Sequence, residues 1–568
     1  MTIRTVLRRT SEPRPHGPTA RATHAWGRPL ALAVALSLAA AGCSAVQPAS
    51  DSGSSGGSAA TGKDSFGEPA AADQVKDGGD LVMALSAEPD QLDPALSRSL
   101  YSRYVFHAMC QKLYDVDQDA KVVPQLATAL PTTSADGKTV TIPVRDDIVF
   151  ADGTKFDAQA VKATLDRNLT IEGSGRKSEL GPITDVEAKD SKTVVVSLSK
   201  PFAPLTAALT DRAGMIVSPK AAKALGDKFA TAPVCVGPFK FAKRVPQNSI
   251  ELVKDPKFYD ADKVHLDKVT YRIITDASIR AANLRSGDVQ IADSLSAQDV
   301  PALQKEKDLQ VLQSQSLGYQ GVTFNIANSD GIGSPLKQVD RPEAKDPRIR
   351  QAFELAVDRA GLVKVIFNDL NTVACSPIAP QSEFSTEAAQ ACTPHDPAKA
   401  KALLKEAGIT TPFPIEMITS NNPDSLRLAQ ALQSMVKEGG FDLQIKPVEY
   451  ASLLDQQDRG EFSLLQLGWS GRIDPDANIT NFVGTGGSQN VAGYSNATVD
   501  GLLDQARETN DVEKRKGLYD QVVAKLHEDD PLIYLYRQRN LTGVSTSVKG
   551  VQVFPDGVVR LGFAGMAK

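Results

Sequence analysis

The residues best equipped for chemistry lie together in one short stretch, Gly468-Trp469-Ser470-Gly471-Arg472-Ile473-Asp474-Pro475-Asp476. A guanidinium such as that of Arg472 grips a carboxylate or phosphate with two parallel hydrogen bonds. Asp474 can hold an ammonium group, Ser470 offers a hydroxyl, and Trp469 either stacks on a ligand or fills a core. The same groups can also satisfy one another, with Arg472 in an ion pair to Asp474 or Asp476. Catalysis finds no comparable support. Of the six histidines, His16 and His24 belong to the leader, and His107, His265, His395 and His527 fall in no metal or nucleophile motif. There is no HExxH, Walker loop or strand-borne GxGxxG. Asp474 and Asp476, two apart beside a proline, suit a turn better than a glycosidase pair. Gly53-Ser54-Ser55-Gly56-Gly57 fits GxSxG, but in a low-complexity run without the strand and helix that a nucleophile elbow requires. The expectation is a binding protein, not an enzyme, with no metal and no cofactor.

The stretch is positioned by the most regular part of the chain. Apolar periodicity predicts strand 415–420, helix 425–438 closed by Gly439-Gly440, strand 441–445, helix 452–459 and strand 462–467. Two successive βαβ units make a parallel sheet by right-handed crossovers. Ligands of such sheets sit beyond the carboxyl ends of the strands, which is where Gly468 to Asp476 follows. Further upstream, 277–286 reads as a helix capped by Gly287 and followed by a strand at 289–292, while Asp396-Pro397 opens a helix that Gly408 closes. The first third is mostly β, with strands at 80–86, 139–144 and 193–198, turns at Asp136-Gly137 and Asp152-Gly153, and one helix at 158–168 capped by Asp157.

The N-terminus reads as an export signal. Six arginines against one acid precede the apolar run Leu30 to Ala41, a dozen residues and too short for a membrane span of about 20. Ala40-Ala41-Gly42-Cys43 resembles a lipobox in which Cys43 takes the lipid, although Ala40 stands where Leu is usual. Residues 43–76, rich in Ser, Gly, Ala and Asp, read as a disordered tether. Without residues 1–42 the net charge moves from −5 to −10, against nucleic acid as a partner. The remaining 526 residues hold about three domains' worth of core. Four cysteines follow Cys43, and an even number in an exported chain suggests disulfides. Cys375 and Cys392 are close enough to pair locally, which leaves Cys110 with Cys235; four buried thiols are the competing reading.

Several blocks, in order, resemble the extracytoplasmic solute-binding protein family 5 of peptide- and nickel-binding proteins. They include Gly79 to Pro94 (GDLVMALSAEPDQLDP), Val123 to Leu126, Phe150 to Phe156 (FADGTKF), Pro233 to Phe239 (PVCVGPF) and Leu284 to Ile291 (LRSGDVQI). Asp346 to Arg359 (DPRIRQAFELAVDR), Ala400 to Gly408 (AKALLKEAG), Gly468 to Pro475 and Tyr494 to Asp500 (YSNATVD) complete the set. The resemblance implies an α/β, two-lobed periplasmic-binding-protein fold (type II, cluster C) with an extra β-rich domain on the first lobe. Its boundaries place lobe I at 77–116, 205–308 and 531–568, the extra domain at 117–204 and lobe II at 309–530. It implies a monomeric, lipid-anchored, extracytoplasmic substrate-binding component that delivers its ligand to an ABC permease with ATPase subunits.

In the peptide-binding members an aspartate three positions after the tryptophan holds the ligand's α-amine; here that position is Arg472, which argues against ordinary amine capture. Asp474 could replace it. Tyr319, at the start of lobe II, joins Trp469, Ser470, Arg472 and Asp474 as a ligand-binding candidate. The ligand is then a peptide or related polar solute or, favoured by Arg472, a non-peptide anion such as an opine, sugar acid or modified amino acid. A lipid-anchored cell-wall enzyme is the remote alternative.

Overall fold

The computed structural model describes residues 63–568; the leader, Cys43 and the Gly53 to Gly57 pattern lie outside them. Two sheets organise this part of the chain. The first has seven strands in the order Leu309–Gln315, Arg539–Ser545, Ile291–Ala292, Asp80–Leu85, Lys268–Ile273, Ser249–Lys254 and Phe239–Val245. The second has six, in the order Thr372–Val373, Leu532–Arg537, Tyr319–Phe324, Leu464–Trp469, Phe413–Ser420 and Phe441–Val448. Among the described residues no helix is long and apolar enough to cross a membrane.

The two predicted βαβ units are present. Phe413–Ser420 pairs in parallel with both Phe441–Val448 and Leu464–Trp469, and the helices Pro423–Glu438 and Tyr450–Asp458 make the crossovers. Beyond Leu464–Trp469 the sheet turns antiparallel, because the strand Tyr319–Phe324 comes from far upstream and runs the other way. Upstream, the helix Ala277–Ser286 ends on Gly287 at φ 82°, a left-handed cap that glycine adopts without a side-chain clash. The helix Ala158–Thr170 starts on Asp157, whose carboxylate accepts from the Gln159 and Ala160 amides. Of the strand expected over 289–292 only Ile291–Ala292 forms.

The β-rich segment carries a four-stranded antiparallel sheet, Thr132–Thr133, Thr139–Pro143, Thr193–Leu198 and Ile183–Ala188, whose apolar face merges with the core of the first lobe. The disulfides join Cys110 to Cys235 and Cys375 to Cys392.

Two expected boundaries are corrected. The lobes do not change over at 308/309 and 530/531. Leu309–Gln315 pairs with Arg539–Ser545 inside the first sheet, and Leu532–Arg537 belongs to the second. The chain therefore crosses at Ser316 and Gln538, where the Ser316 amide donates to the Gln538 carbonyl at 3.2 Å. Backbone pairing between segments far apart in the chain decides this, and no local sequence block encodes it.

The tether also ends earlier than residue 76. Ser65 exchanges both backbone hydrogen bonds with Gln313, Phe66 packs edge-on against Phe554, and Val75–Lys76 pairs with Gly565–Ala567. Asp64 reaches Arg539, a nearly buried cation, at 2.6 Å. Phe66 and Val75 are the anchors that the average composition of the segment conceals. A chain begun at Asp73 is accordingly expected to be about 1–2 kcal/mol less stable than one begun before Lys63, from lost apolar burial and a weak, half-exposed ion pair. Denaturant unfolding of the two chains checks this; equal midpoints would show that the contacts contribute nothing.

Candidate functional site

Between the sheets lies a cavity of about 230 Å³ with walls from both lobes and from the crossing segments. It lies at the carboxyl ends of the parallel strands: Ser420 ends one with Asn422 just beyond, and Gly468 and Trp469 end another with Ser470 just beyond. Trp469 and Tyr319 are directly opposed cross-strand partners, so the two aromatic candidates form one wall. The Tyr319 hydroxyl donates to the Asn478 carbonyl at 3.3 Å, and the indole N–H of Trp469 donates to Asn478 Oδ1 at 2.9 Å. Both rings are thereby fixed in residues that line the cavity. Ser470 lines the cavity too and accepts from Arg103 and Arg472 at 3.3 Å.

Arg472 and Asp474 do not line this cavity. Gly471, at φ 83°, bends the loop so tightly against Leu317 and Gly318 that a Cβ there would meet backbone at 2.3 Å. The chain after it passes behind Trp469. Arg472 stacks on the indole, 4.2 Å from its centroid, and forms an ion pair with Asp211 of the first lobe. Burial pushes its pKa down to about 9 and the Arg103 and Arg212 cations add to this, while Asp211 opposes them, so Arg472 is charged at neutral pH. Asp474 is gripped on both oxygens by Arg515, at 2.9 and 2.7 Å, and Asp476 likewise by Arg507. Instead of pairing with one another, as one reading of the loop expects, these groups pair with three distant elements. Nothing in the local sequence marks Asp211, Arg507 or Arg515 as the partners.

Asp211 is the focus of a buried network. Arg103 Nε donates to it at 2.9 Å, Arg472 approaches from the other lobe, and Arg212 lies 3.7 Å away. Burial alone would raise its pKa, but these guanidiniums outweigh burial and hold it well below the usual carboxylate range.

The ionic groups on the cavity wall are Arg98, Arg280, Arg427 and Arg539, with Asp424 the one carboxylate among them. Each arginine has an acidic neighbour: Asp458 for Arg98, Asp293 for Arg280, Asp424 for Arg427 and Asp64 for Arg539. Only Asp424 of these four also lines the cavity, so the wall carries four guanidinium groups to one carboxylate, with the other three acids behind it. Several of these contacts cross between the lobes. Arg98 Nη1 donates to both Asp458 oxygens at 2.7 Å, Ser296 bridges to Asp424 and Arg427, and Tyr101 meets Tyr450 edge-on at 5.4 Å. Arg427 could have been found from the sequence, because it sits in the first turns of the helix that follows strand 415–420, the same strand-end position that singled out Gly468 to Asp476. Arg98, Arg539, Tyr101 and Tyr450 carried no such signal.

A family model described as bacterial extracellular solute-binding proteins, family 5 (middle), matches residues 121–490. The glutathione-binding protein GsiB of Pectobacterium atrosepticum is 29% identical over 492 residues, covering 84% of this chain and 92% of its own. Among solved structures, AgaA from A. tumefaciens R10 in complex with agropinic acid is 28% identical with a TM-score of 0.76, covering 85% of this chain and 96% of its own. The Helicobacter pylori periplasmic binding protein DppA with the peptide STSA is 25% identical with a TM-score of 0.77, covering 87% and 99%. The two-lobed architecture, the cleft between the lobes and these matches lead to one conclusion: the chain belongs to the bacterial extracellular solute-binding proteins of family 5.

Proposed function

We propose that this chain captures a small carboxylate-bearing solute, an opine-like compound or a short acidic peptide such as glutathione, by closure of its lobes. As the substrate-binding component of an ABC importer it then presents that solute to the permease. The observation that carries the reading is the cavity wall, with four arginines against one aspartate. Its volume of about 230 Å³ falls below the ~300–1,000 Å³ common for ligand pockets, which favours a solute the size of one to three residues over a long peptide. Glutathione and agropinic acid, named for two relatives, both carry carboxylates. Within this reading Trp469, Ser470 and Tyr319 touch the ligand, while Arg472 and Asp474 hold the loop behind Trp469. Export by the N-terminal signal, lipid attachment at Cys43, function as a monomer and the absence of enzymatic turnover complete the proposal.

Trp469 provides the test, since the other tryptophan, Trp26, lies in the leader. Its fluorescence is expected to change on titration with glutathione or agropinic acid, and Arg427→Ala to weaken binding about 10- to 100-fold, the value of a hydrogen bond to a charged group. Loss of binding on N-acetylation of the ligand, with no effect of amidating its carboxylates, would instead favour the second reading. In that reading Asp424 captures a peptide amine.

A further inference from the structure

A second cluster lies away from the solute cavity, where the helix Pro347–Leu355 meets the end of the helix Val512–Asp529. One ligand atom from each of Glu354, His527 and Asp530 falls within 4.8 Å of the other two. Glu354 and Asp530 are 3% and 2% exposed. Glu354 is fixed by Arg359, which donates at 2.6 Å, and by Thr393 at 2.8 Å, leaving a lone pair on each oxygen. Among the described residues, Asp530 Oδ2 is buried without a hydrogen-bond partner, and His527 turns Nδ1 to within 3.7 Å of Glu354 Oε1. Two buried carboxylates this close cannot both stay ionised unless a proton or a cation lies between them.

We propose that Glu354, His527 and Asp530 form a site for one divalent cation of the zinc type. An imidazole and two carboxylates are a donor set that such a cation accepts, at ~2.0–2.2 Å from each ligand. Drawing the three atoms toward a common centre by about 1 Å or less would reach those distances. The Thr393 hydroxyl and Arg359 hold the Glu354 carboxylate in orientation, as outer-shell partners do. Arg359 and Arg350 oppose a further cation electrostatically, but both are tied to main-chain carbonyls, Arg359 to Tyr534 and Arg350 to Asp529 and Glu343. The site is therefore of moderate affinity. Asp530 immediately precedes the strand Leu532–Arg537, which leads to the lobe crossing at Gln538, so an ion here would clamp the base of that strand.

The test uses the untagged, metal-stripped chain and zinc alone. Calorimetry is expected to show one equivalent bound, and excess zinc to raise the unfolding temperature by a few degrees. His527→Ala, at a partly exposed position, and Asp530→Asn, which keeps a residue tolerant of the left-handed φ of 43°, should each weaken binding at least tenfold. Equal zinc binding by both variants would place the metal elsewhere and overturn the proposal. So would the absence of binding to the parent chain, which would leave Glu354 and Asp530 as an acid pair sharing a proton.

Discussion

Asp211→Asn is expected to cost about 3–5 kcal/mol of stability, the usual penalty for removing one partner of a buried ion pair. The side chain is almost wholly buried and faces Arg103, Arg212 and, from the opposite lobe, Arg472. An amide keeps the shape but leaves three buried cations with no shared anion. The sign of the pH effect follows from the depressed pKa of Asp211 in the folded chain. Its contribution is complete above the ordinary aspartate value of about 3.9 and is lost as pH falls through the depressed folded value, so it shapes only the acid limb of the stability curve. Urea unfolding of the parent and Asp211→Asn between pH 3 and 7 should therefore show a large gap at neutral pH that narrows in acid. A constant gap would mean that packing rather than charge is responsible.

The same contact bears on binding, because Arg472 reaches Asp211 across the cleft. Arg472→Ala should weaken every ligand by a similar factor through poorer closure, without changing the preference for carboxylate-bearing over amidated ligands. A selective loss of the carboxylate ligands would return Arg472 to direct contact with the solute.

Removing the Cys110–Cys235 bridge is expected to be the second large effect. The bridge spans a sequence separation of 125, against 17 for Cys375–Cys392. In the chain-entropy description these correspond to about 5 and about 3 kcal/mol. Cys110 also caps the helix Leu100–Met109, which brings Tyr101 to the solute cavity and Arg103 to Asp211. The Cys110→Ser/Cys235→Ser chain should thus unfold at lower urea than Cys375→Ser/Cys392→Ser, and should also bind its solute more weakly. The reverse order of midpoints would show that native-state contacts, not loop length, set the value of each bridge.

Much of this protein is local and could be read from the chain alone. The helix Ala277–Ser286 with its Gly287 cap, the Asp157 cap and the run of βαβ units from Phe413 to Trp469 are written in periods of 3.6 and 2 and in turn residues, which act over a few positions. The strand-end rule likewise led to Trp469 and Ser470, because it depends only on the direction of a strand. Long-range pairing was beyond its reach. That Trp469 faces Tyr319, that Leu309–Gln315 belongs to the first sheet, and that Arg472 turns from the cavity to Asp211 all depend on segments joined by folding. A charged side chain chooses its partner by proximity after the chain has closed on itself, and sequence spacing does not encode that distance. The sequence by itself therefore determined the elements, the family resemblance and the loop at which to look. The tertiary structure alone decided which of that loop's polar groups line the cavity and which are neutralised behind it.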